Sequence, residues 1–319
     1  MIGRVALAVN PTAGKGRSVA AGAMVADGLA AAGIEVLALS GGSASELAAA
    51  ARGAIGTGVD ALVVVGGDGT VHLGTGVVSG TATPLGIVAV GTGNDIAREL
   101  GLVVGDPARA AQDVVAALAA GSVRAVDAVR CSAGAGGADG DRWFAGVLAA
   151  GFDALVNERA NSWSRPRGHL RYDLAILREL PVLRPRHYRI DLDGELWETD
   201  AVMAVVANAT CYGGGMRICP DAVIDDGLLD VLVVLPVSRT AFVRIYPRVY
   251  KGTHVGDPRV VVRRARRVEI ASPGIVAYAD GERMAPLPLT CEAVPGALRV
   301  LVPPAARDTP DAPVDKATG

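Results

Sequence analysis

The sequence predicts a parallel α/β unit over about residues 1–125, followed by a mostly antiparallel β-sandwich unit over 126–303. In the first unit, short uniformly apolar runs alternate with helical patterns, as in sheets covered by helices on both faces. Glycine-rich clusters follow several of these runs, at the strand ends where open α/β sheets bind ligands. After about residue 125 short β-type segments follow one another, which is typical of antiparallel sheets.

The elements of the first unit can be placed from local signals. Ser43 and Glu46 have the spacing of a capping box, Gly33 suits a left-handed helix end, and Asp106 and Pro107 suit the start of a helix. Strands are predicted at RVALAVN, IEVLALS, DALVVV and PLGIVAV, and helices over 17–32, after 43, over 70–79 and to about 120.

In the second unit, two helices are predicted over 168–180 and 238–250, among strands. The last strand, near 297–303, is a candidate to return to the first sheet. Residues 304–319 are rich in proline, alanine and acid, which predicts a disordered tail. The predicted strand segments are RWFAGVLAAGF, HYRIDLDGELWE, DAVMAVVANA, LLDVLVVLP, RVVVRRARRVEIAS, IVAYADGE and ALRVLVP.

Composition excludes several classes of protein. The net charge of −2 and 4% aromatic content disfavour a nucleic-acid binder. No apolar run approaches the roughly 18 residues of a membrane-spanning helix. The four cysteines form no Cys-x-x-Cys pair, so we expect reduced thiols, no zinc and a cytoplasmic protein. They are Cys131, Cys211, Cys219 and Cys291.

Three polar clusters follow predicted strands: NPTAGK at 10–15, GGDGT at 66–70 and GTGND at 91–95. None is a Walker A loop or a Gly-x-Gly-x-x-Gly fingerprint. Glycine lets backbone N–H groups approach a phosphate closely, and a helix N-terminus adds positive potential. Taken alone, GGDGT could be a tight strand-to-helix turn and NPTAGK a generic loop. Three at the ends of strands in one sheet predict a phosphate-binding rim.

These clusters, together with PDAVIDDGLLDVLVV and YADGE, resemble the diacylglycerol kinase-like lipid kinases, which include sphingosine and ceramide kinases. The resemblance extends to about residue 303. GGDGT alone is shared with NAD kinases, whereas GTGND combined with the later acidic motifs is specific. The resemblance implies transfer of the γ-phosphate of ATP to a lipid hydroxyl, with Mg²⁺ and peripheral membrane contact.

The resemblance also implies roles for individual residues. Asp280 would be the general base and Glu282 its support. The side chain of Asp226 and the carbonyls of Val223 and Leu228 would hold a structural Mg²⁺, linked to Asp127. The residues expected around ATP are Asn10, Pro11, Thr12, Gly14, Lys15, Ser40, Gly66, Gly67, Asp68, Gly69, Thr70, Thr92, Asn94 and Arg98.

Several alternatives stay open at this point. Asp280 and the acids at 225–230 could be turn residues, Arg98 could be a solvated helix charge, and a homodimer is possible. The chain could also be an NAD kinase-like enzyme or a regulator without turnover. The acceptor could be diacylglycerol, a sphingoid base, ceramide or an isoprenoid-like alcohol.

Other features have both an ordinary and a functional interpretation. The helix at 168–180 either packs on the core or borders the entrance of a lipid-binding cleft. The arginines of 259–267 either lie on a solvated strand face or contact an anionic membrane. The four histidines are expected to be structural or exposed. They are His72, His169, His187 and His254.

Overall fold

A computed structural model describes residues 3–10, 17–133, 141–163 and 169–304. The first unit contains a parallel sheet in the order β2-β1-β3-β4. Its strands are β1 (Arg4–Val9), β2 (Glu35–Leu39), β3 (Ala61–Gly66) and β4 (Leu85–Ala89). Its helices are α1 (Arg17–Ala31), α2 (Ala44–Gly56), α3 (Asp68–Val78), α4 (Asp95–Glu99) and α5 (Pro107–Ala120).

Helices cover both faces of this sheet, as the uniformly apolar strands predict. Helices α1 and α5 pack on one face, and α2 and α3 pack on the other. The predicted helix starts are confirmed: the Ser43 hydroxyl accepts from the backbone N–H of Glu46 at 3.2 Å, and Asp106 accepts from that of Arg109 at 3.0 Å. Each bond satisfies an N–H group that the first helical turn leaves without a partner.

In its described residues, the second unit has three α-helices and contributes strands to two sheets. The helices are α6 (Phe152–Ser162), α7 (His169–Glu179) and α8 (Arg239–Ile245). The strands are β5 (Val123–Ala133), β6 (Arg142–Phe144), β7 (Val147–Ala149), β8 (Arg186–Leu192), β9 (Glu195–Ala201), β10 (Met203–Ala207), β11 (Leu229–Val234), β12 (Val260–Ala265), β13 (Arg267–Ala271), β14 (Val276–Ala279), β15 (Glu282–Pro286) and β16 (Leu289–Leu301).

The long strand β16 joins the two units. Near its end Val300 is in parallel register with Leu85 of β4, while most of the strand pairs antiparallel with β5 and β13. The first sheet therefore continues as β4-β16-β13-β8-β9 into the second unit. An antiparallel sheet in the order β12-β11-β10-β7-β14-β15 packs against it, with a core of buried, mostly aliphatic side chains between them. The predicted α/β-plus-sandwich architecture is confirmed.

Three segments differ from their predicted form. RWFAGVLAAGF is not one strand: it forms β6 and β7, and α6 begins at Phe152. RVVVRRARRVEIAS is split at Arg266 between β12 and β13, which lie in different sheets. The helix expected over 238–250 ends at Ile245 and is followed by 3₁₀ turns over Tyr246–Lys251 and Thr253–Gly256. Within the described residues, no helix is both long and apolar enough to cross a membrane.

Candidate active site

The GGDGT and GTGND loops lie against each other at the carboxyl ends of β3 and β4. A Cβ atom added at Gly67 would lie 3.2 Å from the Cα of Gly91, closer than side chains normally approach. At Gly66, an added Cβ would collide with the side chain of Thr70. Glycine is therefore needed here partly because the two loops pack backbone to backbone.

Asp68, at the start of α3, ties these loops together. Its Oδ2 accepts from the N–H of Asn94 and its Oδ1 from the N–H of Asp95, both at 2.8 Å. Burial raises the pKa of Asp68, the two hydrogen bonds oppose that shift, and the charge of Asp280 adds to it. Both carboxylate oxygens are thus used to position the GTGND loop.

The GTGND loop is closed by its own asparagine. Asn94 has a left-handed backbone, with φ of 56°, which asparagine tolerates better than most residues. Its Oδ1 accepts from the N–H of Gly91 at 3.0 Å, and its Nδ2 donates to the carbonyl of Gly91 at 2.9 Å. The next residue, Asp95, accepts from the N–H of Gly214 at 2.7 Å. Burial and the charge of Asp68 raise the pKa of Asp95 to about 6.

Asp280 occupies the turn between β14 and β15, opposite these loops. It has φ of 52° and is followed by Gly281 with φ of 84°, the conformation of a tight hairpin. Its Oδ1 accepts from the N–H groups of Gly146 and Val147 at 3.1 and 3.0 Å. Asp280 is therefore a turn residue, and its carboxylate nevertheless lines the cavity between the two units.

His72 of α3 contacts the same carboxylate. Its Nδ1 lies 3.2 Å from Oδ2 of Asp280, and the two side chains are 17% and 7% exposed. The sequence predicts that His72 is structural or exposed, and the structure places its ring beside the Asp280 carboxylate at the site. The sequence signal that could have found it is its place in α3, one helical turn after Asp68 at the site. Glu282 is near too: an added Cβ at Gly69 would lie 2.5 Å from its Oε1.

A cavity of about 330 Å³ extends from this group of residues into the second unit. One end is polar and consists of the two glycine loops with Asp280 and Glu282. The other end is formed largely by apolar side chains of α6, α7, α8 and the neighbouring strands. Apolar lining residues include Phe152, Val156, Ile176, Met203, Met216, Ile218, Val234, Phe242, Ile245 and Val249.

Comparisons with known proteins agree with this geometry. Residues 4–131 match the family described as Diacylglycerol kinase catalytic domain, and residues 146–302 match YegS C-terminal NAD kinase beta sandwich-like domain. A protein named Diacylglycerol kinase from Mycobacterium tuberculosis is 42% identical over 303 residues, covering 95% of this chain and 96% of the relative. The chain belongs to the diacylglycerol kinase-like lipid kinases.

Comparisons at lower identity give a further related sequence and two solved structures of similar fold. A Diacylglycerol kinase from Bacillus subtilis is 28% identical over 229 residues, covering 70% of this chain and 71% of the relative. The crystal structure of a putative diacylglycerol kinase from Bacillus anthracis has a TM-score of 0.74 at 24% identity, covering 95% and 96% of the two chains. A yeast NADH kinase has the same general fold, with a TM-score of 0.52 at 13% identity over 96% and 85%.

The lipid kinase fold does not bring all predicted ATP contacts to the cavity. Thr92 lines it, and the guanidinium of Arg98 donates to the carbonyl of Gly93. Asn10 and Ser40 do not line the cavity. The backbone of Asn10 bonds to Val65 of β3 and to Ser18 of α1, and Ser40 is exposed after the end of β2. Pro11, Thr12, Gly14, Lys15 and the predicted tail beyond 304 lie outside the described residues.

At the expected structural magnesium site, the carboxylates of Asp226 and Asp127 form hydrogen bonds with other groups of the protein. Oδ2 of Asp226 pairs with the guanidinium of Arg264, and its Oδ1 accepts from the N–H of Leu228 at 3.1 Å. Both oxygens of Asp127 accept backbone N–H groups, at 2.6 and 2.9 Å. Across the described chain, no three His, Cys, Asp or Glu side chains group as around a metal. With Arg264 in contact with Asp226, this arrangement of side chains does not fit a bound Mg²⁺.

Proposed function

We propose that this chain transfers the γ-phosphate of ATP to the hydroxyl of a neutral lipid, with diacylglycerol as the first candidate. The observation that carries the proposal is the single cavity that joins the glycine loops and Asp280 to an apolar chamber. A phosphate donor and a lipid acceptor could therefore meet at one place. The name of the 42% identical relative supports diacylglycerol as the acceptor.

The glycine loops supply the phosphate-binding end. Gly67, Gly69 and Gly93 line the cavity, and α3 begins there, so its first N–H groups add positive potential. Magnesium that enters with ATP would neutralise part of the phosphate charge. Asp68 keeps the GTGND loop in place through its two hydrogen bonds. We also propose that the remaining predicted residues, including Lys15 and Arg98, contact ATP.

Asp280 is the proposed general base. As the lipid oxygen attacks the γ-phosphorus, its hydroxyl proton passes to the Asp280 carboxylate. The new bond joins the lipid oxygen to phosphorus, the bond to the β-phosphate oxygen breaks, and ADP leaves with that electron pair. The N–H groups of Gly146 and Val147 fix one oxygen, and His72 contacts the other. Glu282, beside Gly69, borders the phosphate path.

The apolar chamber would hold the acyl chains. Because its walls are largely apolar, this chamber is a poor binding site for a charged dinucleotide, which disfavours the NAD kinase alternative. Because such walls discriminate weakly between chains of similar width, the acceptor class must be read from products. We therefore propose comparing diacylglycerol, ceramide, sphingosine and NAD as acceptors with labelled ATP.

The decisive test is Asp280→Asn, which keeps the shape of the side chain but removes its ability to accept the proton. Turnover on diacylglycerol should fall by roughly 10²–10⁴-fold, while ATP affinity changes little. Asp193→Asn is the matched control, because Asp193 also has a positive φ (53°) before a glycine in a hairpin, between β8 and β9. Turnover of Asp280→Asn within a few-fold of wild type would make Asp280 a turn residue alone.

A further inference from the structure

Two neighbouring helical segments, 171–184 and 239–251, form a layer over the cavity, which we call the helical cap. The cap is held together by the Tyr246 hydroxyl, 3.2 Å from Oδ1 of Asp173, and by Arg239, whose guanidinium donates to the carbonyl of Pro181. Its inner side lines the cavity through Tyr172, Ile176, Phe242, Ile245, Tyr246 and Val249.

The solvent-facing side of the cap is apolar as well. Leu177 is 62% exposed, Val182 53% and Val243 49%, and Leu174 and Tyr250 are exposed too. A helix that faces a protein core on one side ordinarily presents polar residues on the other. Half of the ten large hydrophobic side chains that are exposed in the described residues lie on this cap. This concentration indicates a surface that contacts something apolar.

The cap also carries positive charge. Seven of its residues are basic and two are acidic, an excess of five positive charges in a chain whose net charge is −2. Both acids are engaged internally: Asp173 contacts Tyr246, and Glu179 accepts from Arg159 at 2.6 Å. The basic residues are Arg171, Arg178, Arg184, Arg239, Arg244, Arg248 and Lys251. In the part of the chain that the structure describes, Arg178, Arg184 and Arg244 form no ion pair with an acid.

We propose that the helical cap is the surface by which this protein docks on an anionic lipid bilayer. The inference rests on the proposed function, because the lipid acceptor resides in a bilayer and the cap is the wall between bilayer and cavity. Exposed leucine and valine side chains would enter the interfacial region while the arginines bind anionic headgroups. A second copy of the chain is a poor occupant, because two such positive surfaces repel each other.

The arginine run of 259–267 is a weaker candidate for the same role. Arg259 is bonded to Asp257 at 2.8 Å, and Arg264 pairs with Asp226. Arg263 lies over the ring of Trp197, 4.3 Å from its centre. These side chains are already engaged within the protein, and the run is divided between two sheets.

The test is co-sedimentation of the full chain, without ATP, with vesicles of phosphatidylcholine alone or mixed with phosphatidylglycerol. Wild type should bind the mixed vesicles more strongly. Arg178→Gln and Arg244→Gln should each weaken that binding about five-fold, and Leu177→Glu at least about ten-fold. Arg263→Gln is the matched control for charge. Val19→Glu on α1, where Val19 is 55% exposed, is the matched control for the apolar change.

Equal binding of wild type to both vesicles, or equal effects of Leu177→Glu and Val19→Glu, would overturn the inference. So would a dimer in gel filtration that Leu177→Glu dissociates, since a second copy would then cover the cap. Because binding is measured without ATP, it is separate from catalysis. If wild type shows the vesicle pattern but phosphorylates no lipid, the proposed function fails and the docking surface stands. Leu177→Glu should retain turnover on a soluble short-chain diacylglycerol.

Discussion

Replacing Asp153 by asparagine should show how much the ionisation of a carboxyl buried in the cavity wall lowers the free energy of unfolding. Asp153 is only 7% exposed, at the start of α6. Its Oδ1 accepts from the N–H of Ala154 at 2.9 Å, while Oδ2 has no partner among the described residues. The titratable groups that face it are Tyr188 and Tyr212, which burial keeps neutral by raising their pKa values. Burial raises the pKa of Asp153 to about 7.

The sign and size of the effect follow from this shift. The ordinary pKa of the group is 3.8, so between about pH 4 and 7 the folded chain holds a proton that the unfolded chain has released. Stability therefore falls as pH rises through this window. A shift of about three units corresponds to about 4 kcal/mol, of which about 3 kcal/mol develops between about pH 5 and 8. An asparagine side chain does not ionise and avoids this loss.

Urea unfolding followed by tryptophan fluorescence measures the effect. The free energy of unfolding of Asp153→Asn minus that of wild type should grow by about 3 kcal/mol from about pH 5 to 8. Taking this difference cancels the titration of Asp68 and Asp95. Asp257→Asn is the control, because hydrogen bonds from Arg259 lower the pKa of Asp257 to about 2, below the window. A difference for Asp153→Asn that is the same at both pH values would refute the reasoning.

Two further predictions concern the site and the acidic loop. Gly146→Ala would place a methyl group against Oδ1 of Asp280, so turnover should fall at least about ten-fold while ATP affinity is retained. Gly76→Ala is the control: it has open space around it and should instead raise the free energy of unfolding by up to about 1 kcal/mol. Arg264→Met removes the cation beside Asp226, so added Mg²⁺ should raise the melting temperature of the variant and not of wild type. An equal magnesium response in both proteins would contradict this.

Local signals explain why so much of the first unit could be predicted. Helix caps such as Ser43 bond to N–H groups three residues away, so their partners are visible in the sequence. The glycine loops are equally local, because each follows directly from the strand that carries it. The acidic and glycine motifs also identified the family. The position of the loops at one sheet edge then follows from parallel strand order.

The arginine run and the Asp226 loop show the limit of such reasoning. The arginines of 259–267 are close in sequence, but the run is divided between β12 and β13 in two sheets, and Arg263 of β12 contacts Trp197 of β9 in the other sheet. The Asp226 loop has acids typical of a cation site, but Arg264 from β12 reaches it. A partner that comes from a distant strand leaves no trace in the local pattern. Charge runs therefore do not predict what their side chains contact.

The sequence by itself determined the strand and helix alternation, the glycine loops and the kinase family, because these depend on residues close together along the chain. Only the tertiary structure decided which distant groups meet. His72 and Asp280 are 208 positions apart, and β16, whose return to the first sheet the sequence offered as a candidate, also pairs along most of its length with β5. The cavity exists because α6, α7 and α8 pack over the second sheet without filling the space beneath them, and packing of that kind depends on side chains from the whole chain.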